Sequence, residues 1–179
     1  MRAVFLDRDG VLNQVPVRDG RPYPPEGVEN LKLFPEVPDA LARLKRAGFL
    51  LIVVTNQPDV ARGKQSLATV RQMNQLLADK LGLHACEACV HDDRDGCACR
   101  KPAPGMITAA AAKLGLDLAS SFMVGDRWRD ILAGERAGCH TILVDHRYPQ
   151  EPVIPAEFVC ESLVEASDWI LSRQRQEVS

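Results

Sequence analysis

Several features that would assign a chain to nucleic acid, a membrane or the cell exterior are missing from this sequence. The formal net charge is −2, so no basic field favours nucleic acid as the main partner. The longest aliphatic run, 49–54, is far shorter than the roughly 20 residues that span a bilayer. Residues 1–10 contain four charged side chains, which excludes the hydrophobic region of a signal peptide there. We therefore expect a cytoplasmic protein.

The sequence also lacks internal repeats, low-complexity segments and any need for disulfides. Its 179 residues suit a single domain spanning 1–179, and a composition of 46% hydrophobic and 26% charged residues is typical of a globular protein. Four of the six cysteines nevertheless crowd into fourteen residues, beside His84 and His91. In a cytoplasmic chain such a cluster favours a metal site. Its members are Cys86, Cys89, Cys97 and Cys99.

Apolar strands alternate with amphipathic helices, which predicts an α/β fold with a mainly parallel sheet between helices. The strands are expected over 4–6, 49–54, 86–90, 122–124, 140–144 and 157–160. The helices are expected from Pro35 to Ala47, Ser66 to Leu81, Pro104 to Leu114, through 131–137 and over 163–173, with a frayed tail at 173–179. The proline-rich segment 13–34 predicts a long surface loop.

Polar residues follow three of these strands at their carboxyl ends. Asp7 and Asp9 follow the first strand, Thr55 and Asn56 the second, and Asp126 a later one. Right-handed crossovers bring the carboxyl ends of parallel strands to one edge of the sheet, where open α/β sheets bind ligands. We therefore expect these side chains to converge at that edge.

The first of these groups, Asp7 and Asp9, is a pair of carboxylates separated by one residue. Residues two apart in a strand point the same way, so both could face one reacting group. Gly10 would let the backbone turn away without placing a side chain in the site. Such a pair suits a nucleophile, a general acid and a metal ion. Two aspartates in this spacing, without other motifs, more often form an acidic turn. The later motifs favour a catalytic role for this pair.

Four motifs resemble, in order and spacing, those of the haloacid dehalogenase superfamily. They are Asp7-Arg8-Asp9-Gly10, Thr55-Asn56-Gln57, Arg100-Lys101-Pro102 and Gly125-Asp126-Arg127-Trp128-Arg129-Asp130. The resemblance covers about 2–145 and is greatest to the zinc-containing phosphatases that act on heptose 1,7-bisphosphate, whose close relatives are the histidinol-phosphate phosphatases. It implies a Rossmann-like three-layer α/β/α fold without a large cap domain. It also implies an Mg2+-dependent phosphomonoester hydrolase that acts through an aspartyl-phosphate.

The resemblance assigns a catalytic role to each motif. Asp7 would be the nucleophile, and Asp9 would protonate the leaving alkoxide and then activate water. Lys101 would neutralise phosphoryl charge, while Thr55 and the Asn56 backbone would hydrogen-bond the phosphoryl oxygens.

The same resemblance implies a magnesium site at Asp7, Asp9 and Asp126. The ligands would be the carboxylates of Asp7 and Asp126 and the backbone carbonyl of Asp9, and oxygen ligands are those that Mg2+ prefers. Asp130 is either a carboxylate that supports this site or an exposed helix residue.

Other residues fall where the resembled phosphatases contact substrate. Arg100 lies where they recognise the distal end of the substrate, and its neighbour Lys101 favours a second phosphate there. The remaining candidates are Val15, Arg18 and Arg127. The chain departs from the heptose enzymes at Pro58-Asp59, in place of their common Ser-Gly, and in the 13–34 loop.

The cysteine cluster contains a C-x-H followed by a C-x-C, typical of a closed structural zinc site. Cys86 and Cys89 also form a C-x-x-C, which could make a four-cysteine site without His91. We favour His91, because a strand that reaches Cys89 would place Cys86 on its opposite face and because the resembled family uses C-x-H. The favoured ligands are Cys89, His91, Cys97 and Cys99. Zinc would fold the loop at about 86–101.

The resemblance implies removal of the C7 phosphate from D-glycero-D-manno-heptose 1,7-bisphosphate. We expect the protein to act as a monomer, with neither nucleic acid nor a membrane as partner. Histidinol-phosphate phosphatase is the first alternative, but those enzymes tend to lack the Gly-Met found here at 105–106. A polynucleotide phosphatase would need a basic groove. A zinc-stabilised binding module without catalysis would not need Asp7, Asp9, Lys101 and Asp126 together.

Overall fold

Strands and helices alternate along the residues that the structure, a computed structural model, describes: 1–149 and 152–177. The strands are β1 Ala3–Leu6, β2 Val17–Arg18, β3 Arg21–Pro22, β4 Leu50–Asn56, β5 Ala85–Cys89, β6 Phe122–Gly125, β7 His140–Val144 and β8 Phe158–Cys160. The helices are α1 Val37–Arg46, α2 Leu67–Leu81, α3 Gly105–Leu114, α4 Trp128–Ala137 and α5 Leu163–Glu177. This order confirms the predicted α/β class.

Six strands form one parallel sheet in the order β5-β4-β1-β6-β7-β8. Within it, Leu6 at the end of β1 pairs with Val53 of β4 on one side and with Val124 of β6 on the other. The three strands end at the same edge of the sheet, with β6 running one residue and β4 three residues beyond the partner of Leu6. This register brings the polar residues that follow them to a common edge, as the alternation of strands and helices predicts.

The sheet separates two apolar cores. Alternate residues of β1 point to opposite faces, so Val4 and Leu6 belong to one core while Ala3 and Phe5 belong to the other. The first core includes apolar residues of α1 and α5, and the second includes residues of α3 and α4. All four β1 residues are fully buried, which fixes the strand that carries the first acidic motif.

Helix α2 lies within the predicted span and has a capping residue at each end. The Ser66 hydroxyl accepts a hydrogen bond from the Thr69 backbone N–H at 3.0 Å, and Gly82 ends the helix in the left-handed conformation with φ 62°. Helix α5 is longer than predicted, because it continues past Arg173 to Glu177. Of the predicted tail, residues 178–179 lie outside the described part of the chain.

The predicted loop at 13–34 contains a short antiparallel hairpin, formed by β2 and β3. Both ends of the segment are tied by backbone hydrogen bonds, from Gln14 N–H to the Lys32 carbonyl at 2.8 Å and from Phe34 N–H to the Leu12 carbonyl at 3.1 Å. None of the helices in the described residues has the length and apolarity that crossing a membrane requires.

Candidate active site

Three carboxylates meet at the edge of the sheet where β1 and β6 end. One oxygen each of Asp7, Asp126 and Asp130 lies within 4.8 Å of the others, and all three residues are buried. Asp7 is fixed by a hydrogen bond from its backbone N–H to the Val124 carbonyl at 2.9 Å. The structure thus brings together Asp7 and Asp126, which are far apart in the sequence.

The turn after β1 approaches Asp126 so closely that only glycine fits. Gly10 has φ +89°, and a Cβ there would lie 2.1 Å from Asp126 Oδ2. This is the side-chain-free turn that the sequence predicts at Gly10. The Asp126 carboxylate therefore packs directly on the backbone of the acidic loop.

Asp130 is buried, with an exposed fraction of 1%, so the exposed-helix alternative for this residue is wrong. Its Oδ2 accepts a hydrogen bond from the Arg127 backbone N–H at 3.0 Å at the start of α4. Gly125 permits this arrangement, because a Cβ there would lie 2.1 Å from the Asp130 Cβ. Asp130 therefore belongs to the acidic site.

The Lys101 ammonium group bridges two of these carboxylates. Its Nζ lies 2.9 Å from Asp7 Oδ1 and 2.5 Å from Asp130 Oδ1, and it donates to the Val54 carbonyl at 2.6 Å. Burial favours the neutral amine, but the charges of Asp130 and Asp7 outweigh burial and hold the pKa of Lys101 above its usual value. The lysine is a fixed cation beside Asp7.

The Asn56 side chain holds the backbone of Lys101 in place. Its amide donates to the Lys101 carbonyl at 2.9 Å, and its oxygen accepts from the Lys101 N–H at 3.0 Å. The expected role of Asn56 involves its backbone, whereas this pair of hydrogen bonds uses the side chain. An amide after β4 thus sets the position of a lysine 45 residues later.

Burial and mutual repulsion raise the pKa of two carboxylates in this site. Burial, with added repulsion from Asp130 and Asp9, raises the pKa of Asp7 to about 6 even though Lys101 opposes the shift. Burial and the charges of Asp7 and Asp130 raise the pKa of Asp126 well above its usual value. A divalent cation bound to these oxygens would relieve both effects, and Mg2+ takes oxygen ligands.

The Asp9 carboxylate is not a member of this cluster. The expected convergence of acidic side chains therefore holds for Asp7 and Asp126 but not for Asp9. Its Oδ1 accepts hydrogen bonds from Arg8 Nε at 3.1 Å and Asn13 Nδ2 at 3.0 Å. Its Oδ2 accepts from Arg8 Nη2 at 2.9 Å and Gln57 Nε2 at 2.8 Å. Gln57 also donates to the Thr55 hydroxyl at 2.9 Å, which links the first two motifs.

Sequence reasoning assigned no role to Arg8, Asn13 or the Gln57 side chain. Arg8 and Gln57 lie within recognised motifs, and Asn13 lies three residues beyond the first motif, which is the signal that the sequence offers for them. Their shared partner, Asp9, becomes visible only when the turn after β1 and the end of β4 are placed in space.

A second cluster lies in the loop after β5. One ligand atom each of Cys89, His91, Cys97 and Cys99 lies within 4.8 Å of the others. The Cys99 sulfur is 3.2 Å from that of Cys89 and 3.3 Å from His91 Nδ1. Cys86 is not part of this group, and its sulfur lies 3.9 Å from the Asn74 carbonyl oxygen. Three thiols and an imidazole fit a tetrahedral metal site.

Ion pairs join this loop to its surroundings. Arg100 Nε lies 2.8 Å from Asp93 Oδ1, and Arg129 Nη1 of α4 lies 3.0 Å from the same oxygen. The Arg100 Nη1 group also donates to the His91 carbonyl at 3.3 Å. The Arg62 guanidinium lies 2.7 Å from Asp92. The structure therefore pairs Arg100 with a carboxylate of its own loop.

The other expected substrate contacts lie in two places. Val15 is half-buried in the 13–34 loop, and Arg18 is exposed in the hairpin, 3.5 Å from Glu26. Arg127 lies beside the acidic cluster at the start of α4, with its guanidinium 6.0 Å from the centre of the Tyr148 ring.

Comparison with known proteins gives one family and several full-length relatives. A family model described as HAD-hydrolase-like matches residues 98–166. D-glycero-beta-D-manno-heptose-1,7-bisphosphate 7-phosphatase of Escherichia coli (strain K12) is 37% identical over 97% of this chain and 95% of its own length. The enzyme of the same name from Bordetella bronchiseptica is 35% identical over 96% of this chain and 98% of its own length.

Solved structures show the same similarity. The D,D-heptose 1,7-bisphosphate phosphatase of B. bronchiseptica, solved with magnesium and phosphate, superposes with a TM-score of 0.81 at 33% identity. That match covers 97% of this chain and 99% of the other. The enzyme of the same name from Burkholderia thailandensis gives a TM-score of 0.67 at 25% identity, covering 96% and 99% of the two chains.

We expect Mg2+ to stabilise the fold more at pH 8 than at pH 5. The pKa of Asp7 is raised from 3.8 to about 6. Without metal, ionisation of this carboxyl group therefore makes the fold less stable as pH rises between these two values. Mg2+ binds the ionised carboxylates and reverses this loss. At a concentration about 100 times Kd, we expect Tm to rise by about 5–10 °C at pH 8.

Differential scanning fluorimetry with and without MgCl2 measures the shift. Asp126→Asn provides the control, because it should remove most of the Mg2+ effect at pH 8. An equal Tm shift at both pH values in the unmodified protein would contradict the assignment of these carboxylates as ligands.

Proposed function

Because this chain belongs to the HAD-like hydrolases, in the family of the heptose 1,7-bisphosphate phosphatases, we propose that it removes the C7 phosphate of D-glycero-D-manno-heptose 1,7-bisphosphate. The proposal takes the reaction class from the family and the substrate from the names of the full-length relatives. The observation that carries the chemistry is the buried contact of Lys101 with Asp7, 2.9 Å from nitrogen to oxygen.

Asp7 is the nucleophile of the proposed reaction. One of its carboxylate oxygens attacks phosphorus, and the bond between phosphorus and the leaving sugar oxygen breaks. Lys101 orients Asp7 and offers its positive charge to the phosphoryl oxygens, and the Thr55 hydroxyl donates to one of them. Phosphoryl transfer depends mainly on such positioning and charge stabilisation, so a pre-arranged lysine suits the reaction.

Asp9 moves the protons. In the first step its carboxylic acid gives a proton to the leaving sugar oxygen, and the aspartyl-phosphate forms on Asp7. In the second step the Asp9 carboxylate takes a proton from water, the water oxygen attacks phosphorus, and the bond to Asp7 breaks. Inorganic phosphate and the free Asp7 carboxylate result.

A magnesium ion fits the oxygen-lined site beside these residues. The carboxylates of Asp7 and Asp126 and the backbone carbonyl of Asp9 would hold it, on the turn where Gly10 leaves room for Asp126. When bound, Mg2+ supplies positive charge to the phosphoryl oxygens. Asp130 would act through Lys101, since it shares the ammonium group with Asp7.

The zinc site of the proposal is structural. Cys89, His91, Cys97 and Cys99 would bind Zn2+ and fix the loop from which Lys101 reaches Asp7. Arg100, which follows Cys99, would bind the distal phosphate of the substrate. This contact would replace its ion pair with Asp93. The monomeric state and the cytoplasmic location stay predictions.

Phosphate release from purified protein with Mg2+ tests the reaction and its substrate. We expect kcat/KM for heptose 1,7-bisphosphate to exceed that for histidinol phosphate by at least about tenfold. Asp7→Asn should lower kcat by about 1,000-fold or more, because the amide is a poor nucleophile. Higher kcat/KM on histidinol phosphate would overturn the substrate, and an active Asp7→Asn protein would overturn the mechanism.

Metal analysis of two cysteine variants tests the zinc site. Cys97→Ser removes a ligand, so we expect its zinc content to fall well below the roughly one ion per chain of the unmodified protein. Cys86→Ser is the matched control and should keep its zinc, because Cys86 is not part of the cluster. Zinc loss in both variants would favour the C-x-x-C alternative, in which Cys86 replaces His91 and Cys97 is still a ligand.

A further inference from the structure

Arg8 is a buried cation that the proposed mechanism does not use. Its side chain has an exposed fraction of 0%, although it stands between Asp7 and Asp9 in the catalytic turn. We infer that Arg8 is a positioning residue that holds the Asp9 carboxylate in place for proton transfer, with Asn74 of α2 as its anchor. This inference rests on the proposed function and deepens it.

The contact between Arg8 and Asp9 is bidentate. Nε and Nη2 of the guanidinium meet the two oxygens of one carboxylate at 3.1 Å and 2.9 Å. Two parallel hydrogen bonds fix both the distance and the plane of the carboxylate, which a single contact does not. The Asp9 side chain keeps an exposed fraction of 17%, so it is held firmly and can still meet a substrate oxygen.

The other end of the guanidinium is tied to a helix. Nη1 of Arg8 donates to Asn74 Oδ1 at 3.0 Å, and Asn74 is itself 8% exposed on the inner side of α2. A buried arginine is costly unless its nitrogens are hydrogen-bonded, and here each of the three bonds a named partner. Arg8 therefore transmits the position of α2 to Asp9.

Asn13 and Gln57 complete the support, each with one hydrogen bond to Asp9. Neither provides a paired contact or a charge, so the guanidinium is the element that fixes the plane of the carboxylate. An error of about 1 Å in the position of an acid can reduce turnover by about 100-fold, and the loss falls on kcat when binding is unaffected.

Substrates with different leaving groups separate positioning of the acid from a general structural role. A sugar alkoxide needs a proton from Asp9 to leave, whereas p-nitrophenolate leaves without one. The first turnover of p-nitrophenyl phosphate, in which the aspartyl-phosphate forms, therefore depends on Asp7 but little on Asp9. Hydrolysis of the aspartyl-phosphate needs Asp9 for both substrates.

For Arg8→Met we expect kcat on heptose 1,7-bisphosphate to fall by about 10- to 100-fold with little change in KM. Stopped-flow measurement should show p-nitrophenolate released at nearly the unmodified rate in the first turnover, one per active site, followed by slow turnover. Arg8→Lys should restore part of kcat, because it keeps the charge but not the paired contact.

Asn74→Ala tests the anchor and remains informative if the Arg8→Met protein does not fold. We expect a smaller fall in kcat, about three- to tenfold, again with the first turnover of p-nitrophenyl phosphate preserved. Adding Asn74→Ala to Arg8→Lys should lower kcat by less than the product of the two single effects, because both changes act through one contact.

Equal losses in the first turnover and in steady-state turnover would overturn the inference, because they would show that Arg8 supports the whole site. Unchanged kcat in folded Arg8→Met or Asn74→Ala protein would also overturn it. Failure of the unmodified protein to release phosphate from either substrate is a different result, since it would contradict the proposed function itself.

Discussion

The ion pair of Lys101 with Asp7 and Asp130 is the interaction on which the site depends. Without that ammonium group, three buried carboxylates would share one small volume, and their repulsion would favour protonated forms. The lysine lowers this cost at Asp7 while leaving Asp126 to meet a metal ion. A carboxylate that is desolvated yet held ionised by a neighbouring cation suits a nucleophile for phosphoryl transfer.

The position of Lys101 in turn depends on distant parts of the chain. The Asn56 side chain binds its backbone at the end of β4, while the cysteine cluster closes the loop that precedes it. Asp93 joins that loop to Arg129 at the start of α4, near Asp130. The parallel sheet, the proposed zinc loop and the acidic site therefore form one mechanical unit, in which loss of the loop's fold would displace the lysine.

The sequence predicts the elements that obey local rules, such as the apolar strands β1 and β4, the start of α2 at Ser66, and the glycine turn at Gly10. It also predicts that Asp7 and Asp126 meet, because the handedness of crossovers decides where strands end. It does not predict the contacts of Arg8 or the burial of Asp130, which depend on side-chain positions across the fold. The exact end of α5 is likewise undetermined by local propensity.

The most direct measurement of the central claim is chemical trapping of the phosphorylated enzyme. Protein mixed with substrate and Mg2+ is quenched in acid, reduced with borohydride and digested, and the peptides are identified by mass spectrometry. An aspartyl-phosphate on Asp7 is reduced to homoserine, so the account predicts that product at position 7 and its absence without substrate. Reduction at another carboxylate, or phosphate attached to a different side chain, would contradict the account.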